Sequence, residues 1–129
     1  MSDKYVIDAN AWIEYLKGSD AGRKIRSAIE EGEVYTCAVT VAEVISKVAR
    51  EEGDVEAAHN ILTSNSTILD ADEEISKEAG ILHARMRKDV PDFGLADAYI
   101  LASAKKTASK VLTGDIHFKG VKEAIFIRS

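Results

Sequence analysis

Four carboxylates stand where their neighbours in the chain are apolar: Asp8, Glu43, Asp97 and Asp115. Asp8 closes the run Tyr5-Val6-Ile7, and Asp115 follows Lys110-Val111-Leu112-Thr113-Gly114. Glu43 lies between Val41-Ala42 and Val44-Ile45, and Asp97 sits in Leu95-Ala96-Asp97-Ala98-Tyr99-Ile100-Leu101-Ala102. An ionised carboxylate in such surroundings is costly unless it is paired or binds a cation. No basic residue lies within four positions of Asp97, and only Lys47 does so for Glu43. Plainer roles compete at each position. Glu43 is spaced for a helix ion pair with Lys47, Asp97 for a carboxylate at a helix N-terminus, and Asp8 and Asn10 for a turn or a cap. Gathered together, the four would repel one another unless a hard divalent cation neutralised them, and a set of oxygen donors suits Mg²⁺ or Mn²⁺ rather than zinc. His59, His83 and His117 fall in no zinc-ligand spacing, and Cys37 is the only cysteine. Of the histidines, only His117 is near the proposed site.

The elements that must position these groups alternate between strand and helix. Tyr5-Val6-Ile7 has no polar face, which predicts a strand buried on both sides in a mainly parallel sheet, with Asp8 at the carboxyl end where open α/β sheets bind ligands. A helix carrying Trp12, Ile13 and Leu16 follows, with Asn10 in position to cap it. Ala21 to Ile29 reads as a second helix, Val34 to Cys37 as a second strand, and the stretch from about Thr40 to Arg50 as a third helix. Asp54 caps a helix through Ile61 and Leu62, Thr67-Ile68-Leu69 is a short third strand, and Asp72 opens a helix closing on Arg85, Arg87 and Lys88. After Pro91, a helix spans about Leu95 to Thr107, followed by strands at Lys110–Thr113 and Ala124–Ile127. The expected fold is a three-layer α/β domain with a central five-stranded sheet flanked by helices.

At 129 residues, 46% hydrophobic and 30% charged, the chain reads as one globular domain over 1–129 with no disorder signature. Met1 to Lys4 carries no secretory pattern, and no stretch approaches the roughly 18 apolar residues of a membrane span. The default expectation is a cytoplasmic protein with Cys37 as a buried small hydrophobe. A formal charge of −5 argues at first against general nucleic-acid binding. Without the four candidate carboxylates, that −5 becomes −1, so local basic patches suffice for RNA contact. Arg85-Met86-Arg87-Lys88, Lys105-Lys106 and Lys119 to Lys122 are candidates.

Four segments together resemble the PIN-domain ribonucleases, and among them the VapC-type toxins of toxin-antitoxin pairs. They are Val6-Ile7-Asp8-Ala9-Asn10, Thr40-Val41-Ala42-Glu43-Val44, Asp97-Ala98-Tyr99-Ile100-Leu101-Ala102 and Leu112-Thr113-Gly114-Asp115-Ile116-His117-Phe118. Their order and spacing match the family over essentially the whole length. Ala9 departs from the family's preference for a small hydroxylated residue there but removes no expected ligand. The resemblance implies a parallel sheet with the first strand in the middle and one or two Mg²⁺ or Mn²⁺ ions held by Asp8, Glu43, Asp97 and Asp115. It also implies Asn10 and Thr113 as residues orienting ligands or water, and RNA hydrolysis without a covalent enzyme intermediate. A homodimer and a small antitoxin lying over the active site belong to the same expectation.

Three other readings are open at this stage. One is a receiver-type phosphoacceptor domain, but the first strand here ends in a lone aspartate and the only proline, Pro91, is far from the lysine that such domains carry. The others are an RNA-processing PIN nuclease outside any toxin-antitoxin pair and an inactive PIN-like binding module.

Overall fold

In the computed structural model, residues 3–128 are described, and alternation along the first strand divides their interior in two. Strand β1 (Lys4–Ile7) places Val6 in one apolar cluster and Ile7 in another, both fully buried. Because successive side chains of a strand point to opposite faces, the sheet is buried on both sides, as its unbroken apolar run requires.

The remaining elements follow in the order α1 (Ala9–Lys17), α2 (Arg23–Glu31), β2 (Glu33–Cys37), α3 (Ala38–Arg50), α4 (Val55–Asn65), β3 (Thr67–Leu69), α5 (Glu73–Met86), α6 (Leu95–Thr107), β4 (Lys110–Thr113) and β5 (Ala124–Phe126). A 3₁₀ turn at Ile116–Phe118 joins the last two strands. The strands lie in the order β3-β2-β1-β4-β5 and every neighbouring pair is parallel. The sheet is thus wholly parallel, with β1 at its centre. Strand order reverses between β1 and β4, where Ile7 stands opposite Leu112, and open α/β sheets place their ligand crevice at such a point.

On one face, Ile75, Ala79 and Leu82 of α5 and Ala98, Leu101 and Ala102 of α6 pack with Val6 and Val111. On the other, Trp12 and Ile13 of α1, Ile25 of α2, Val44 of α3 and Leu62 of α4 pack with Ile7 and Leu112. The Trp12 indole donates to Thr36 Oγ1 at 3.1 Å, and Thr36 is in turn 2.7 Å from Ser66 Oγ, which ties α1 to β2 and to the end of α4. Cys37 is buried and free, as expected.

Helix boundaries follow local capping chemistry. Asp54 and Asp72 cap α4 and α5 by accepting from the Ala57 and Ile75 N–H groups. Gly18 takes a left-handed conformation (φ 69°) to close α1, which few residues other than glycine adopt readily. Helix α1 corrects one expectation: its cap is Asp8, not Asn10, and Asp8 Oδ1 accepts from Ala11 N–H at 2.8 Å. The strand runs into the helix without a spacer, so the last extended residue is also the one placed to cap. Helix α3 begins at Ala38, ahead of the expected Thr40, because β2 likewise turns directly into it. Helix α2 starts at Arg23 rather than Ala21, since residues 19–22 form turns. Strand β5 ends at Phe126. No helix among the described residues is long and apolar enough to cross a membrane.

Leu62 is fully buried in the cluster that contains Trp12, the only tryptophan. Leu62→Ala is therefore expected to destabilise the fold by about 2–5 kcal/mol. Urea unfolding followed by Trp12 fluorescence measures that loss.

Candidate active site

Asp8 and Asp115 stand just beyond the carboxyl ends of β1 and β4, and one hydroxyl joins them. Thr113, fully buried, donates through Oγ1 to Asp8 Oδ2 and accepts the Asp115 N–H at 2.9 Å. Asp8 is itself only 3% exposed, and its carboxyl is pushed up to about 7. Burial is the main cause; the hydrogen bonds from Thr113 and Ala11 oppose it, and the charges of Asp115 and Asp97 add to it.

Asp97 and His117 join from the other side. Asp97 lies in the first turn of α6, where its Oδ2 accepts the Gly94 N–H at 2.8 Å. Its cap role and its place in the site are therefore compatible. Asp115 caps the 3₁₀ turn by accepting His117 N–H at 2.8 Å, and the His117 ring folds back over it. His117 Nδ1 lies 3.2 Å from Asp97 Oδ2 and 3.4 Å from Asp115 Oδ1. What brings the turn to α6 is an edge-to-face contact of two fully buried rings, Phe93 before the helix and Phe118 at the end of the turn, with centroids 5.6 Å apart.

Ligand atoms of Asp97, Asp115 and His117 all fall within 4.8 Å of one another. Asp8 and Glu43 are not in this trio, yet Asp97 and Asp115 are close enough to raise the proton affinity of both. For Glu43 the larger cause is the partial shielding of its carboxyl, although the residue as a whole is exposed on α3. The expected apolar surroundings of Glu43 are thus only partly present. The competing helix pair with Lys47 is not made, because Lys47 bonds instead to Glu51 at 3.0 Å.

Thr113 bonds to Asp8 and to the backbone of Asp115, two of the candidate ligands. Asn10 does not cap α1; its side chain packs against Gly114, where an added Cβ would collide with Asn10 Oδ1. A side chain at 114 would displace the Asn10 carboxamide from this position. His117, expected near the proposed site, lies against two of its candidate ligands, Asp97 and Asp115. The signal was the spacing Asp115-Ile116-His117, which in a capped turn folds the ring back toward its own cap.

A cleft of about 600 Å³ lies between α1 and α3. Asn10 and Glu43 line it, together with Lys17, Lys47, Arg50 and Arg128. The Arg128 guanidinium also bonds Glu14 at 3.0 Å and holds that carboxyl below its usual range. These four basic groups, far apart in sequence, are not the patches that runs of basic residues suggested. Lys106 of one such patch pairs with Asp72.

The PIN domain family matches residues 5–124. The chain belongs to the PIN-domain family. Among solved structures, a toxin-antitoxin complex from Klebsiella pneumoniae superposes with a TM-score of 0.78 at 19% identity, covering 97% of this chain and 98% of that one. VapBC2 from Rickettsia felis, bound to a promoter DNA fragment, gives 0.73 at 18% identity, covering 95% and 96%. VapC20 from Mycobacterium tuberculosis, a toxin cleaving the sarcin-ricin loop, gives 0.69 at 19% identity, covering 90% and 95%. The fold is that of VapC-type PIN domains. No curated protein matches the sequence at a significant level.

Because the Asp8 carboxyl is held near 7 in the fold and returns to its ordinary range near 3.8 on unfolding, the folded chain keeps a proton that the unfolded chain releases. This contribution to stability is complete below about pH 4 and is lost as pH rises through 7. Urea titrations from pH 4 to 8 in chelator are expected to show the wild type losing stability relative to Asp8→Asn over that window. Parallel curves would contradict the burial of an ionisable Asp8.

Proposed function

We propose that the protein is a metal-dependent endoribonuclease and the toxin of a toxin-antitoxin pair. The observation that carries this reading is the gathering of Asp8, Glu43, Asp97 and Asp115 around the β1–β4 crevice of a PIN fold. The donors fit a divalent cation: a tight cluster of carboxylate oxygens and one imidazole nitrogen, with a further carboxylate kept partly protonated by burial. A cation such as Mg²⁺ or Mn²⁺ bound there supplies the positive charge that acidifies a water and offsets charge building on the phosphoryl oxygens.

The chain's own groups then divide the work. Asp97 Oδ2 and Asp115 Oδ1 offer oxygens on either side of the site, and the Thr113 hydroxyl and the Ala11 N–H fix the two oxygens of Asp8. Glu43 faces the cleft from α3 and is placed to accept the proton of the attacking water as well as to share the cation. Asn10, packed on Gly114, holds the mouth of the cleft against the turn that carries Asp115. Lys17, Lys47, Arg50 and Arg128 line the cleft with Glu14 and Glu43, three of the four paired with Glu14 or Glu51, and are the basic groups that an RNA backbone entering it would meet. A single strand or loop is the form in which RNA sequence is commonly read.

The homodimer and the antitoxin belong to the same proposal. Leu95 and Ile116, 52% and 77% exposed, flank the trio and leave apolar surface for an antitoxin segment to cover.

The test is cleavage of structured and single-stranded RNA with Mg²⁺, with Mn²⁺ and with chelator. Cleavage is expected only with a divalent ion, and Asp8→Asn, Asp97→Asn and Asp115→Asn are each expected to lower it about 100-fold or more while circular dichroism is unchanged. Cleavage by the chelated wild type, or undiminished cleavage by the variants, would overturn the reading.

A further inference from the structure

His117 does something that the four carboxylates do not require. A histidine serving only to orient one ligand makes one contact, but this ring nitrogen meets carboxylates from two elements, Asp97 on α6 and Asp115 beyond β4. The separations of 3.2 and 3.4 Å carry further information. Neighbouring ligands of a six-coordinate ion, bonded at roughly 2.1–2.3 Å, stand about 3.0–3.3 Å apart. The separations from Nδ1 to Asp97 Oδ2 and to Asp115 Oδ1 fall near that spacing. The backbone agrees, since Asp115 accepts the His117 N–H and so locks the turn that aims the ring.

We propose that His117 Nδ1 is a direct ligand of the cation, so that the site is a mixed oxygen-nitrogen site that prefers Mn²⁺ to Mg²⁺. The inference rests on the cation reading proposed above. Carboxylates alone discriminate weakly between these two hard ions, whereas imidazole suits transition metals and not Mg²⁺. Proton accounting permits the exchange. A carboxylate accepts only, so in the contact seen here Nδ1 carries the proton. With a cation among the three atoms, Nδ1 would give up that proton, and the neutral ring would carry its single proton on Nε2 instead. No other described residue provides a nitrogen to the trio, and His59 and His83 lie outside it.

The experiment is electron spin-echo envelope modulation on the full chain loaded with Mn²⁺, which detects ¹⁴N bonded to the ion independently of any activity. The wild type is expected to show imidazole nitrogen modulation, and His117→Gln is expected to bind Mn²⁺ without it. By calorimetry, the Mn²⁺-over-Mg²⁺ preference is expected to fall about tenfold in His117→Gln. Mn²⁺ binding that depends on Asp97 but shows no ¹⁴N coupling in the wild type would overturn the histidine ligand and leave the nuclease reading standing. Modulation that persists in His117→Gln would overturn it equally. Absence of Mn²⁺ binding, or binding indifferent to Asp97→Asn, would overturn the reading itself and the inference with it.

Discussion

The Thr113 hydroxyl makes one unit of two strand ends that would otherwise repel each other. It donates to Asp8, which ends β1, and receives the backbone N–H of Asp115, which follows β4. A methyl in its place would leave the Asp8 carboxyl, buried at 3% exposure, without the partner that most opposes its burial. Everything else in the site is arranged around this link. Glu43 reaches in from α3, while Asp97 and His117 close the far side.

Apolar packing holds the charged groups in place against their mutual repulsion. The two faces of β1 and β4 are each covered by helices, with Val6 and Val111 on one side and Ile7 and Leu112 on the other. This keeps the strand ends from separating. The Phe93–Phe118 contact does the same for the 3₁₀ turn and the start of α6, the two segments that carry Asp115, His117 and Asp97. Gly114 completes the arrangement, since a Cβ there would push the Asn10 carboxamide away from the turn. Stability spent on burying Asp8 is thus balanced by core packing, a trade common where a fold prepares a charged site.

Much of this was legible in the chain because local chemistry and fold agree. The unbroken apolar run Tyr5–Ile7 and the short Val111-Leu112 pair gave buried parallel strands, and Asp54 and Asp72 announced their helices as caps. Four carboxylates amid apolar neighbours pointed to one crevice. Other features depend on contacts between remote segments, and no local pattern reports those. Nothing near Lys47 says that it will choose Glu51 over Glu43. The basic cleft gathers Lys17, Lys47, Arg50 and Arg128 from three places, whereas the conspicuous basic runs lie elsewhere. Asp8 rather than Asn10 capped α1 because a strand that turns straight into a helix leaves its last residue with both tasks. His117 comes to lie against both Asp97 and Asp115 through a capped turn that its spacing from Asp115 allows but does not by itself require.

The central claim is that these side chains form one cation-binding cup whose repulsion a bound ion relieves. It is tested most directly by urea unfolding at neutral pH with increasing Mn²⁺ or Mg²⁺. An ion that binds only the folded chain is expected to raise stability by about 2.7 kcal/mol at a hundred times its dissociation constant, and the gain is expected to vanish in Asp97→Asn and Asp115→Asn. Unfolding curves that ignore both ions, or variants that gain as much as the wild type, would contradict the account.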